Sequence, residues 1–161
     1  MRKILSNVFL NLIARFTLGG LFIFAGLGKI PIPEAFAKEI ANYQLVPYTL
    51  VNIMAITLPW VEVITGIFLI LGVRIRANAA IVGAMLVMFI GGILWAMSQG
   101  LKIDCGCFAQ VEATPVGWPK VLQNIGLLLI SIYLYKFPLK TYSLETLAFK
   151  DIPNAQETIY N

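Results

Sequence analysis

The sequence predicts an all-α fold: a bundle of four transmembrane helices, both termini cytoplasmic, with a short amphipathic helix in the first outer loop. Three observations predict it. Hydrophobic residues fill 59% of the 161 positions and charged residues 12%, against about 25% charged in an average soluble domain. Mean hydropathy is +0.83, and the apolar residues fall in four long runs rather than one-sided stripes. The runs lack the two-residue alternation of barrel strands, which leaves helices as the way to satisfy a backbone in lipid.

The first run extends from about Val8 to Ile30, the second from about Leu50 to Val73, the third from about Ala77 to Met97 and the fourth from about Val121 to Phe137. Each approaches or exceeds the ~18–20 residues that carry a helix across a ~30 Å hydrocarbon layer. Met1-Arg2-Lys3 resembles the basic start of a secretory signal. Arg15 interrupts the apolar stretch, however, and no small-x-small cleavage site follows, so the first helix is read as uncleaved. Residues 1–140 make one membrane domain. The polar stretch 141–161 reads as a cytoplasmic tail, with helical character around Ser143 to Phe149.

Between the first two runs, Pro33-Glu34 has the form of a helix start, with proline in the first turn and an acid near the positive end of the dipole. Phe36, Ile40 and Tyr43 then recur at helical spacing while Glu34, Lys38, Glu39 and Asn42 are polar, which predicts an interfacial helix ended by Pro47. Trp95 and Trp118 sit near predicted helix ends, where interfacial aromatics anchor. Glycines and alanines in the spans (Gly19, Gly20, Ala25, Gly26, Gly28, Gly91 and Gly92) let backbones approach closely.

Basic residues set the orientation. Arg2, Lys3, Arg74, Arg76, Lys136 and Lys140 fall on one side, and Lys29, Lys38, Lys102 and Lys120 on the other. The richer side is read as cytoplasmic. In a bacterium this places the protein in the inner membrane, with the second outer loop facing the periplasm. Basic residues at the inner interface account for the net charge of +4, so no nucleic-acid partner is implied.

Two ionisable residues lie inside spans: Arg15 in the first helix and Glu62 in the second. A lone charge at the bilayer centre costs at least ~2.5–3.5 kcal/mol, so the expectation is a buried Arg15–Glu62 ion pair that fixes the two antiparallel helices. The functional alternative makes Glu62 a proton acceptor for redox chemistry or a quinone headgroup.

The sharpest motif is Asp104-Cys105-Gly106-Cys107-Phe108, which holds both cysteines of the chain. A Cys-x-Cys disulfide closes a small, strained ring, and Gly106 supplies the backbone freedom that ring requires. Strain makes a disulfide a stronger oxidant, whereas one intervening residue leaves little chain to stabilise by cross-linking. Lys102 would favour a thiolate and Asp104 would oppose it. A redox pair, an inert disulfide or free thiols, and a metal site all remain open. For metal, only Asp104, Glu112, a methionine or a second subunit could complete the ligand shell, because the chain has no histidine. No serine–histidine arrangement or phosphate-binding glycine loop occurs either, which removes most familiar enzyme classes.

These residues together resemble the DoxX-like superfamily of four-span membrane proteins, and within it the MauE branch linked to methylamine utilisation. The resemblance rests on Arg15, Gly20, Phe24, Gly26 and Lys29, then Pro59, Glu62, Gly66 and Gly72, then the cysteine segment followed by Trp118, and spans about Leu10 to Phe137. It implies a role in forming or handling disulfides outside the cytoplasm, such as maturing a disulfide-rich subunit of methylamine dehydrogenase. It also implies likeness to quinone-linked disulfide-forming membrane proteins. The expected activity is thiol–disulfide oxidoreductase or accessory subunit, with Cys105 and Cys107 as reacting residues. The expected partners are an extracytoplasmic thioredoxin-like or cysteine-rich protein and the lipid bilayer, with quinone as candidate acceptor and no covalently bound cofactor. A homo-oligomer or a place in a larger complex is compatible with this. Two readings from other classes stand beside it: a non-catalytic membrane anchor or assembly subunit, and a metal-handling protein.

Overall fold

The computed structural model describes residues 8–100 and 117–138, and every regular element among them is helical. We number these elements α1 (Val8–Lys29), α2 (Pro33–Asn42), α3 (Tyr48–Leu71), α4 (Ile75–Ser98) and α5 (Trp118–Lys136). Three of them, α1, α3 and α4, are long and apolar enough to cross a membrane. The shorter α5 carries Lys120, Gln123 and Asn124 in its first two turns and falls outside that set.

The polarity of α1 is inverted relative to a soluble helix. Its buried stripe recurs at three- and four-residue steps and contains Asn11, Arg15 and Lys29. Its exposed face carries Phe9, Ile13, Phe16, Phe24 and Leu27. Water would reward the opposite arrangement, whereas lipid rewards this one. The same holds across the bundle, where Glu62, Thr65, Asn78, Asn124 and Ser131 are also buried.

The long helices alternate in direction. Arg15 near the start of α1 meets the end of α3, Asn11 reaches the carbonyl of Phe137 just past α5 (2.8 Å), and Ser131 of α5 donates to Ala79 early in α4 (2.6 Å). α1 packs chiefly on α3 and α4 chiefly on α5, while α3–α4 and α1–α5 contacts close the ring. The α1–α3 seam is tight because glycines line it. A Cβ on Gly19 would lie 2.7 Å from the Gly66 oxygen, and one on Gly26 would lie 2.6 Å from the Pro59 oxygen. Gly20 and Gly91, also expected to serve close approach, face open space.

α3 ends where Gly72 adopts φ 74°. Val73 N–H donates to Phe68 O and Gly72 N–H to Leu69 O, the paired bonds of a Schellman ending. α4 begins three residues later, and Asn78 turns its amide back onto the Val73 carbonyl at 2.7 Å. At the opposite end lie α2, the end of α4 and the start of α5. α2 begins at Pro33 as expected and packs on α3 with Phe36 buried. The expected tail, 141–161, lies outside the described residues.

Candidate functional site

Charge buried in an apolar bundle has to find opposite charge or backbone dipoles, and here helix register decides which. Gly19 faces Gly66 and Gly26 faces Pro59 across the antiparallel α1–α3 seam, which sets Glu62 level with about Ile23. At 1.5 Å per residue, Arg15 then lies roughly 12 Å toward one end and Lys29 roughly 9 Å toward the other. Helical side chains lean toward their own N-terminus, so Lys29 leans toward Glu62 and Arg15 leans away. The ammonium of Lys29 accordingly donates to both carboxylate oxygens of Glu62, at 2.8 and 3.0 Å, with side-chain exposures of 4% and 1%. The expected Arg15–Glu62 ion pair is not formed. Arg15 instead donates from Nε to the Leu69 carbonyl and from Nη2 to the Ile70 carbonyl, both at 2.9 Å. Those are last-turn acceptors at the negative end of the α3 dipole.

Two aromatic rings complete the surroundings of the ammonium. Lys29 Nζ lies 4.9 Å from the ring centre of Phe36 on α2 and 5.5 Å from that of Phe89 on α4, within cation–π range. The pair thus ties four elements to one point: α1 and α3 through charge, α2 and α4 through ring faces. The same two rings line a cavity of about 190 Å³, together with Tyr43, Met54, Met88 and Gly92 among others. Its lining is apolar apart from Glu39 and the Tyr43 phenol. Burial first, and then the charge of Glu39, push the Tyr43 pKa up to about 12.

The structure thus separates the two intramembrane residues singled out from the sequence, placing Arg15 at one end of the α1–α3 seam and Glu62 beside Lys29. Cys105 and Cys107, with Lys102, Asp104 and Gly106, lie outside the described residues. The segment that carries them leaves the described fold at Gly100, just past α4, and re-enters at Gly117, just before α5. Both points are at the end of the bundle that holds α2 and the cavity. Sequence reasoning missed Lys29 as Glu62's partner, having counted it as a flanking charge. No sequence signal gave it, because the Gly19/Gly26 register against Gly66 and Pro59 exists only once α1 and α3 are docked. Phe36, Phe89 and Gly92 carried no signal either, because α4 meets α2 only in three dimensions.

A family model described as the methylamine utilisation protein MauE matches residues 7–137. Curated relatives bear the same name. The MauE of Paracoccus denitrificans is 29% identical over 119 residues, covering 73% of this chain and 64% of that protein. The Methylophilus methylotrophus protein is 31% identical over 119 residues (72% and 62%), and the Methylorubrum extorquens protein is 30% identical over 106 residues (65% and 57%). The chain therefore spans about six tenths of the length of the curated relatives it matches. No solved structure gives a significant match.

Proposed function

Because this chain belongs to the methylamine utilisation protein MauE family, we propose that it serves such a system as a membrane component handling a disulfide outside the cytoplasm. Methylamine utilisation comes from the names of its relatives. The disulfide chemistry comes from this chain: the observation that carries it is that its only two cysteines, Cys105 and Cys107, stand one residue apart in the segment joining α4 to α5.

In this reading α5 is a fourth span. Its 19 residues reach roughly 28 Å at 1.5 Å per residue, close to the hydrocarbon thickness. Its contacts with α4 and α1 support that role. Both termini are then cytoplasmic. The burial of Lys29 strengthens this orientation, because removing it from the outer flank turns six basic residues against four into six against three. The cysteine segment faces the periplasm, where disulfides persist.

The exchange runs through a mixed disulfide. A thiolate of the partner, an exported thioredoxin-like or cysteine-rich protein, attacks one sulfur of the Cys105–Cys107 disulfide and releases the other as thiolate. A second partner thiol then attacks the mixed bond, so the partner leaves oxidised and the pair is left as a dithiol. Running the steps backwards reduces the partner instead.

The test is to express Cys105→Ser and Cys107→Ser singly and capture covalent adducts under non-reducing conditions. One variant should trap an exported thiol protein that dithiothreitol releases. If neither traps a partner and a double variant keeps full function, the anchoring reading replaces this one. An impermeant maleimide that labels these cysteines only in inverted vesicles would refute the orientation.

A further inference from the structure

We propose that the groove between α4 and α5 seats an acyl chain of an anionic glycerophospholipid, whose phosphate is held between Arg76 and Lys136 at the groove's mouth. The groove has a volume of about 350 Å³ and is lined by Ala79, Ala80, Gly83, Leu128, Ile132 and Tyr135 among others. It lies on the outer surface of the bundle, where Ala80, Val87, Ile132 and Tyr135 are exposed. Small residues create it. Ala79, Ala80 and Gly83 leave α4 without a ridge on this face, and a Cβ on Gly83 would come within 3.0 Å of the Ser131 hydroxyl. That hydroxyl is itself spent on the Ala79 carbonyl, so the floor suits a hydrocarbon chain rather than a polar group. From Ala79 to Val87 the groove runs roughly 12 Å at 1.5 Å per residue, most of the ~15 Å hydrocarbon depth of one leaflet.

Charge enters at one end only. Arg76, Ala80, Gly83 and Val87 follow one another at four-, three- and four-residue steps, a single stripe of α4 that begins with a cation and continues as groove wall. On α5, Lys136 stands one turn past Ile132. The Ser131–Ala79 bond fixes the register of these antiparallel helices. Lys136 is then level with about Arg74, and within roughly 3 Å in height of Arg76. Both cations are exposed, and a phosphodiester has two unesterified oxygens, one for each.

The surrounding charge selects the headgroup. Arg15, Arg74, Arg76 and Lys136 all belong to this end. The acids among the described residues are Glu34 and Glu39 on α2 at the other end, and Glu62, which is paired with Lys29. Arg15 donates to carbonyls and meets no carboxylate. Helix dipoles leave this positive charge standing, because the negative end of α3 and the positive start of α4 oppose one another at the same turn. A zwitterionic headgroup would bring an ammonium into the cluster, and a partner's transmembrane helix would need an acid at the matching depth. An anionic glycerophospholipid supplies the chain and the net negative charge in one molecule. Neither the cysteines nor the side of the membrane enters, so the disulfide reading can fail and leave this site intact.

The test is native mass spectrometry of the full chain, released from dodecyl maltoside micelles and titrated with dioleoyl phosphatidylglycerol or dioleoyl phosphatidylcholine. The readout is the dissociation constant of the first bound lipid. Phosphatidylglycerol should bind roughly twenty-five-fold more tightly, two cations at about fivefold each. Arg76→Gln and Lys136→Gln should each cost it about fivefold, and the double variant should bring it level with phosphatidylcholine. Both side chains are exposed, so these changes spare the fold. Ala80→Leu, which fills the groove, should weaken both lipids by a common factor. Lys38→Gln, which removes an exposed cation from α2 at the other end, should leave both unchanged. Equal affinity for the two lipids in wild type overturns the proposal. So does a loss at Lys38→Gln equal to that at Lys136→Gln, which would mean attraction by net charge alone. Unchanged binding in Ala80→Leu would take the chain out of the groove and refute the site. Displacement by millimolar glycerol phosphate would assign the cations to a soluble anion instead, and a dimer that Ala80→Leu abolishes would give the groove to a second copy.

Discussion

Removing one partner of the Lys29–Glu62 pair should be among the most damaging conservative changes in this bundle. In Lys29→Met the aliphatic stem keeps its volume, but Glu62, with 1% side-chain exposure, loses the donor that meets both its oxygens. Breaking a buried pair in this way costs about 3–5 kcal/mol, and the insertion cost of a lone membrane charge, about 2.5–3.5 kcal/mol, is of the same size. Glu62→Met should cost as much by stranding the ammonium, partly offset by the rings of Phe36 and Phe89. The double variant should recover most of the loss, because two apolar side chains of similar volume suit the bundle interior. The coupling energy, the two single losses together less that of the double, is then at least about 4 kcal/mol, read from reversible unfolding in mixed micelles as sodium dodecyl sulfate is increased. Arg15 supplies the control. It contacts the Leu69 and Ile70 carbonyls rather than Glu62, so the Arg15→Met and Glu62→Met changes should add to within about 0.5 kcal/mol. A coupling at Arg15–Glu62 larger than that at Lys29–Glu62 would refute the register argument.

Gly26→Ala should destabilise by about 1–3 kcal/mol, because its Cβ would meet the Pro59 carbonyl at 2.6 Å and the helices must part. Gly20→Ala, facing open space, should be neutral or stabilising by up to about 1 kcal/mol. The same micelle titration compares them, and equal effects would contradict the seam. Tyr43 gives a pH test. Its pKa is raised from 10.0 to about 12, so the folded state holds the proton more tightly than the unfolded chain. Its contribution to stability is complete below pH 10.0 and is lost as pH rises toward about 12. Ultraviolet difference titration of wild type against Tyr43→Phe should show the missing phenol ionising near the upper value, and a midpoint at 10.0 would mean that it is not buried.

The helices were legible because lipid leaves few options for a backbone. Runs beginning near Val8, Leu50, Ala77 and Val121 became helices beginning at Val8, Tyr48, Ile75 and Trp118, shifted where Pro47, the turn after Gly72 and the Gly117 cap with Pro119 set the ends. The interfacial helix was legible for a local reason as well, since Pro33, Glu34 and the Phe36/Ile40 spacing all lie within two turns. What failed was the choice of Glu62's partner. Equal depth in an antiparallel pair was the wrong criterion, because side chains of about 6 Å reach lean along the helix, and the lean favours Lys29 over Arg15. The glycine contacts decide that question, and they emerge only when α1 and α3 are docked. The cavity was less legible still, since its walls come from α2, α3 and α4.

The two ends of the bundle are built to different specifications, and the difference bears on where the chemistry lies. At one end Arg15 holds the end of α3, Asn11 the end of α5, and Asn78 the turn between α3 and α4. The main hydrophobic core, including Leu18, Phe22, Leu69, Val82, Leu86 and Leu134, lies toward that end too. Arg15, Asn11 and Asn78 are each spent on a helix terminus there, and the turn of Gly72 to Arg74 is too short to host a catalytic site. At the other end α2 packs on α3, a cavity is walled by α2, α3 and α4, and the Lys29–Glu62 pair lies against two of its rings. Preorganised sites need a rigid support and room above it. Charge placement agrees: Arg15 neutralises carbonyl dipoles and binds nothing else, whereas Lys29 is shared between a carboxylate and two rings that are themselves cavity wall. A ligand that moves Phe36 or Phe89 therefore changes the surroundings of the ion pair directly. The cavity wall is thereby coupled to the α1–α3 seam, and the Gly92→Leu and Lys29→Met variants should prove non-additive in unfolding free energy if that coupling is physical.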